Sequence, residues 1–152
     1  KRCICKASDI DRYARKLSGP IMDRIDMWVP VLHIDYDTLS HGEEGEGSNT
    51  VRTRVQNARA FAQNRFIKAG SASLSKNKDM RAKDIEINVK LDDACTVLMK
   101  KLATTAALSP RAYHRVLRLA RTIADYRGDQ NVNEADILEA FQYRPKLYQD
   151  RI

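Results

Sequence analysis

The chain has 152 residues, enough for one average domain. With 43% hydrophobic and 31% charged residues it can build a core under a water-facing surface, and no apolar run approaches the roughly 20 residues that cross a bilayer. Lys and Arg outnumber Asp and Glu by 27 to 20, and the net charge of +7 favours an anionic partner without choosing between nucleotide phosphate and nucleic acid.

The basic N-terminus is not a signal peptide, because Ser8, Asp9 and Asp11 stand where an apolar stretch is required. The chain begins with Lys1 rather than methionine and is read as an excised or processed piece of something longer. An odd set of cysteines, Cys3, Cys5 and Cys95, without a secretory signal points to a reducing cytoplasm rather than a disulfide framework. Cys3-Ile4-Cys5 has the spacing of half a zinc site, but tetrahedral zinc needs four ligands and no second pair stands nearby.

Ser8 is placed to cap a helix from Asp9, and Ile10, Tyr13, Ala14 and Leu17 recur at the spacing of one buried face. Gly19-Pro20 ends that helix. The run MWVPVLHI, Met27 to Ile34, is apolar on both faces and predicts a strand, which Pro30, lacking an N–H, places at a sheet edge. No convincing partner strand follows, so either the run is not a strand or, the favoured reading, the other strands of its sheet are missing from this chain.

Residues 41–50, HGEEGEGSNT, read as a mobile loop. A basic helix follows from about Val51 to Ile67, with Val51, Val55, Ala58, Ala62 and Phe66 on one side and Arg52, Arg59 and Arg65 on others, which are read as a solvated surface in preference to a nucleic-acid contact. Residues 70–78 form a second linker. Cys95, Leu98, Met99, Leu102 and Ala106 make one helical stripe, with Cys95 as a small core residue.

Ser109-Pro110 supplies a cap and a first-turn proline for the longest helix, which runs to about Tyr126 with Gly128 past its end. Tyr113, Val116, Leu117, Ala120, Ile123 and Ala124 form its buried face, and Arg111, Arg115 and Arg118 share the opposite one. The last helix starts at Asn133, with Val132 and Ile137 in staple positions and Ile137, Leu138 and Phe141 as core residues.

The stretch LSGPIMDRID, residues 17–26, sets Arg24 between Asp23 and Asp26. One reading is a surface ion pair; the other is an arginine held ready for a phosphate on another subunit. No GxxxxGK[ST], HExxH or GxSxG motif is present, and His33, His41 and His114 are scattered, so this polypeptide alone is expected to be inactive as an enzyme.

IDRYARKLSGPIMDRIDMWVPV resembles the segment after sensor 1 in magnesium chelatase-like AAA+ ATPases, in the ComM/YifB branch. LSPRAYHRVLRLARTIADYRGDQNVNEADILEAFQYR resembles the C-terminal helical lid of the same branch, and the VRTRVQNARAFAQNRF helix between them also fits. The two blocks span most of the chain in the right order. The resemblance implies a mainly α chain: the C-terminal remnant of an AAA+ α/β core with one edge strand, followed by a helical lid. It divides the chain into 1–40 (end of the core), 41–90 (loop, basic helix and second linker) and 91–152 (lid).

Carried over residue by residue, Arg24 matches the arginine finger, which acts in a neighbouring subunit's ATP site, with Asp23 and Asp26 orienting it. Arg111 matches sensor 2, with Arg115 one turn on as the fallback, while Arg118 and Arg121 are read as surface or subunit-contact residues. Cys3 and Cys5 would be the remaining half of a metal motif whose other cysteines lie upstream in this branch. The resemblance implies ATP and Mg²⁺ in the full-length protein, with neither expected to bind this chain tightly. It further implies a hexameric ring, DNA as partner, no membrane and a cytoplasmic location. The family role is ATP-driven DNA processing, a helicase or branch-migration activity in natural transformation. The alternatives are the motor subunit of a magnesium chelatase, inserting Mg²⁺ into protoporphyrin, and a free-standing basic helical DNA-binding module.

Overall fold

The computed structural model describes residues 4–16, 19–22, 24–31, 34, 36, 40 and 45–144. The elements, in chain order, are α1 (Ala7–Ala14), α2 (Gly19–Met22), α3 (Ser48–Lys68), a 3₁₀ turn (Asn77–Asp79), α4 (Ala82–Asn88), α5 (Asp93–Thr105), α6 (Pro110–Arg127) and α7 (Glu134–Gln142).

Helix α6 is the axis of the fold, packing against α3, α4, the 3₁₀ turn and α7, while α5 reaches α7. Its Ala120 and Ala124, with Ala140 of α7, are fully buried, and their small side chains let the helices approach closely. Phe66, Met99 and Ile137 fill the spaces between helices at 0% exposure. The chain is thus mainly helical, as expected.

Local chemistry sets the helix ends. The Ser109 hydroxyl accepts the Ala112 N–H at 3.1 Å, Pro110 opens α6, and Gly128 closes it in the left-handed region at φ 81°. Helix α7 starts with a reciprocal box, in which Asn133 Oδ1 accepts the Asp136 N–H at 3.0 Å and Asp136 Oδ2 accepts the Asn133 N–H at 2.9 Å. Asp92 caps α5 by accepting the Cys95 N–H at 2.7 Å.

The structure corrects several expectations. Among the described residues there is no strand, and 27–31 form an irregular segment. A lone extended segment has no ladder partner, and Val29 and Val31 are left 61% and 90% exposed. His33 and residues 41–44 of the expected 41–50 loop lie outside the described residues. Helix α3 begins at Ser48, so the loop is shorter than expected.

Helix α1 begins at Ala7 after Lys6 and has no side-chain cap, so Ser8 lies inside it. Its Ile10 and Tyr13 are exposed, because no described element lies over that face; Leu17 lies outside the described residues. Val51 and Val55 are also exposed, and the core contribution of α3 comes from Ala62 and Phe66. Leu138 is 45% exposed, and Ala140 takes the inward position instead. The core further includes Met80, Ile85 and Val89, which follow the expected 70–78 linker. No helix among the described residues is long and apolar enough to cross a membrane.

Candidate functional site

Arg24 sits in the turn that closes α2, where its N–H donates to the Ile21 carbonyl at 2.9 Å and the next N–H, of Ile25, reaches the Met22 carbonyl at 3.3 Å. Met22 is buried at 3% exposure and anchors the turn, while Arg24 itself is exposed. The following residues are tied to the helical core. Arg144 donates to the Ile25 carbonyl at 3.2 Å, Trp28 N–H donates to the Tyr143 carbonyl at 2.8 Å, and Asp26 pairs with Arg115. Asp26 therefore engages α6, where the sequence suggested that it orients Arg24; Asp23 lies outside the described residues.

Helix α6 uses its arginines differently along its length. Arg111, in the first turn, is exposed beside the N-terminal amides, where the helix dipole favours anions. Arg115, one turn on, is largely covered and pairs with the more open Asp26, while its Nε is buried without an acceptor among the described residues. Trp28 Nε1 is in the same state. Arg118 is half-buried and donates to the carbonyls of Lys78 and Met80, each at 3.2 Å, which fixes the 3₁₀ turn to α6. Burial, and then the neighbouring Arg115 charge, pull its pKa below the usual arginine value.

Arg121 is 1% exposed, so it is not a surface residue. It closes the loop after α6 by donating to the carbonyls of Gln130 at 2.8 Å and Asp129 at 2.5 Å, and its Nε bonds Asp125 at 3.1 Å. Burial lowers its pKa, and the Asp125 charge opposes that shift. Arg65, expected on a solvated face, is also buried and holds Asp125 with two bonds. Asn88 and Asn77 accept two more of its N–H groups at 2.9 and 2.6 Å. This network is structural, since its donors and acceptors satisfy one another. A carboxylate beside Ala124 on the buried face of α6 was the sequence signal for it.

Cys5 is exposed, and its proposed companion Cys3 lies outside the described residues. Among the described residues no group of three or more His, Cys, Asp or Glu is arranged to hold a metal. Cys95 is buried, its thiol donates to the Val132 carbonyl at 3.7 Å, and burial pushes its pKa up to about 11.

Residues 45–144 match the family described as magnesium chelatase, subunit ChlI C-terminal, and residues 1–39 match magnesium chelatase, subunit ChlI. The chain is 37% identical over 136 residues to the competence protein ComM of Haemophilus influenzae, covering 89% of this chain and 25% of that protein. It is 30% identical over 141 residues to the uncharacterized protein YifB of Escherichia coli, covering 92% of this chain and 26% of YifB. An uncharacterized Mycobacterium tuberculosis protein is 29% identical over 142 residues, covering 93% of this chain and 27% of that protein. The chain spans about a quarter of the length of these relatives. With both matches in order along the chain and these relatives covering most of it, the chain belongs to the magnesium chelatase ChlI family, in the branch that includes ComM and YifB.

Proposed function

We propose that this chain carries the arginine finger, Arg24, and the sensor 2 arginine, Arg111, of a cytoplasmic AAA+ ATPase that works as a hexameric ring. The whole protein is then an ATP-driven DNA helicase or branch-migration factor in natural transformation. The observation that carries this reading is the placement of the two arginines. Arg24 is exposed on a turn whose next residues are bonded to α6 and to the end of α7, and Arg111 is exposed in the first turn of α6. Arg65, Arg118 and Arg121 hold the fold together.

Each role follows from guanidinium chemistry. A guanidinium is planar, permanently charged and able to donate two parallel hydrogen bonds to phosphate oxygens. Arg24, reaching the neighbouring subunit's ATP, stabilises charge that develops on the γ-phosphate. Arg111 contacts the γ-phosphate in its own subunit, where the N-terminal amides of α6 add to the positive potential. Among the described residues no group of three or more His, Cys, Asp or Glu is arranged to hold Mg²⁺. The family match supports a second reading, the motor subunit of a magnesium chelatase, whereas the likeness to a Haemophilus competence protein favours the DNA role.

The test is Arg24→Ala in the full-length protein. Turnover should fall at least about tenfold with nucleotide affinity nearly intact, because fingers supply about 10³ to 10⁵ in rate where they dominate transition-state stabilisation. Hydrolysis at the wild-type rate in the assembled ring eliminates the finger. ATPase stimulation by DNA separates the DNA role from the chelatase role.

A further inference from the structure

The three residues that hold the Arg24 turn in place, Ile25, Asp26 and Trp28, are each bonded to a different partner. Arg144 donates to the Ile25 carbonyl, Arg115 pairs with Asp26, and Trp28 N–H donates to the Tyr143 carbonyl. These partners come from two places: the second turn of α6 and the end of α7. The Asp26–Arg115 pair joins positions 89 residues apart, and the Arg144–Ile25 bond joins positions 119 apart.

The ion pair is asymmetric. The Arg115 side chain is 14% exposed and the Asp26 side chain 60%. The cation is thus fixed to the helical unit, and the carboxylate belongs to the more open segment that bears Arg24. Asp26 also offsets the repulsion between Arg115 and Arg118, three residues apart on one helix face. An ion pair this open contributes little by itself. Its effect comes from acting with the Arg144 side-chain bond to the Ile25 carbonyl and the Trp28–Tyr143 backbone bond, which must all break before the turn can leave.

We propose that Arg115 is a positioning residue. Through Asp26 it clasps the Arg24 turn to the α6–α7 unit, so that a tilt of that unit moves the finger in the neighbouring site. Arg111 lies one turn before Arg115 on the same helix, so the clasp links the subunit's own γ-phosphate contact to the finger it extends to its neighbour. This inference rests on the finger reading of Arg24. It replaces the role of Arg115 as a fallback phosphate ligand.

The experiment uses the full-length protein and two readouts, amide exchange and steady-state ATPase kinetics. In Arg115→Ala, and in the milder Asp26→Asn, the Trp28 amide should exchange at least about tenfold faster while core amides of α6 and α7 keep wild-type rates. In both variants kcat should fall severalfold with KM for ATP within about twofold of wild type, because transition-state positioning is lost and ground-state binding is not. The charge-reversed pair Asp26→Arg with Arg115→Asp should recover part of both effects. Unchanged Trp28 exchange in Arg115→Ala and Asp26→Asn overturns the clasp, and a raised KM with intact kcat makes Arg115 a phosphate ligand and also overturns it. Arg24→Ala, measured alongside, keeps the two readings apart. If that variant turns over at the wild-type rate while Trp28 loosens in Arg115→Ala, the finger reading and its coupling fall although the bond network is real.

Discussion

Arg65 and Asp125 stand 60 residues apart in sequence and meet inside the fold as a two-bond ion pair, Nε to Oδ1 at 3.0 Å and Nη2 to Oδ2 at 3.1 Å. Arg121 shares the same carboxylate, and Asn77 donates to it at 2.7 Å. One anion thus serves two buried cations and joins α3 and the 3₁₀ turn to α6. Asp125→Ala would leave both guanidiniums buried without their counter-charge. The expected loss is about 3–5 kcal/mol of unfolding free energy, the range for breaking a buried pair from one side. Urea denaturation measures it, and a loss below about 1 kcal/mol would show that water or relaxation replaces the carboxylate.

The two described cysteines should differ in reactivity. Cys5 is exposed and should react promptly with a thiol reagent at neutral pH, whereas Cys95 should react only as the fold opens. Burial raises the Cys95 pKa from 9.0 to about 11, so the folded state favours the neutral thiol. Its contribution to stability is complete below pH 9 and is lost as pH rises from about 9 to about 11, where the unfolded chain releases the proton first. Comparing urea midpoints of wild type and Cys95→Ala across that window isolates the effect. Parallel slopes would show that the thiol does not titrate differently in the two states.

Both ends of α6 are set by local chemistry, a side-chain cap at Ser109 and a left-handed glycine at Gly128, and can be tested singly. Ser109→Ala removes the acceptor for the Ala112 N–H and should cost about 1 kcal/mol. Gly128→Ala meets no neighbouring atom, yet φ of +81° makes any Cβ strained, and about 1 kcal/mol is again expected. Thermal melts of the two variants and their combination should show near-additive losses, since the sites are at opposite ends of an 18-residue helix.

Roles in different active sites predict complementation between inactive proteins. If Arg24 acts in the neighbour and Arg111 in its own subunit, mixed rings of Arg24→Ala and Arg111→Ala should regain part of the lost ATPase activity. An active site that joins an intact Arg111 to an intact Arg24 from next door exists only in the mixture. Mixtures no more active than the average of the separate variants would argue that both residues serve the same site.

The sequence alone determined the features whose causes lie within a few residues. Asp92, Ser109 and Asn133 cap the helices that follow them because a short polar side chain needs only amides two or three residues ahead. Val116, Leu117, Ala120 and Ala124 are buried as their spacing requires, and Cys95 and Met99 likewise. The tertiary structure alone decided what depends on distant partners. Arg65 and Arg121 have the sequence appearance of surface cations and are buried, because Asp125 and the Asp129 and Gln130 carbonyls meet them only once the chain is folded. The apolar run after Asp26 has strand-like composition but forms no strand among the described residues, since a strand is defined by a neighbour's hydrogen bonds and not by its own side chains. Arg115 shows the same limit at the candidate site: helical spacing places it one turn from Arg111, but only folding brings Asp26 against it, and that contact decides what its charge can do.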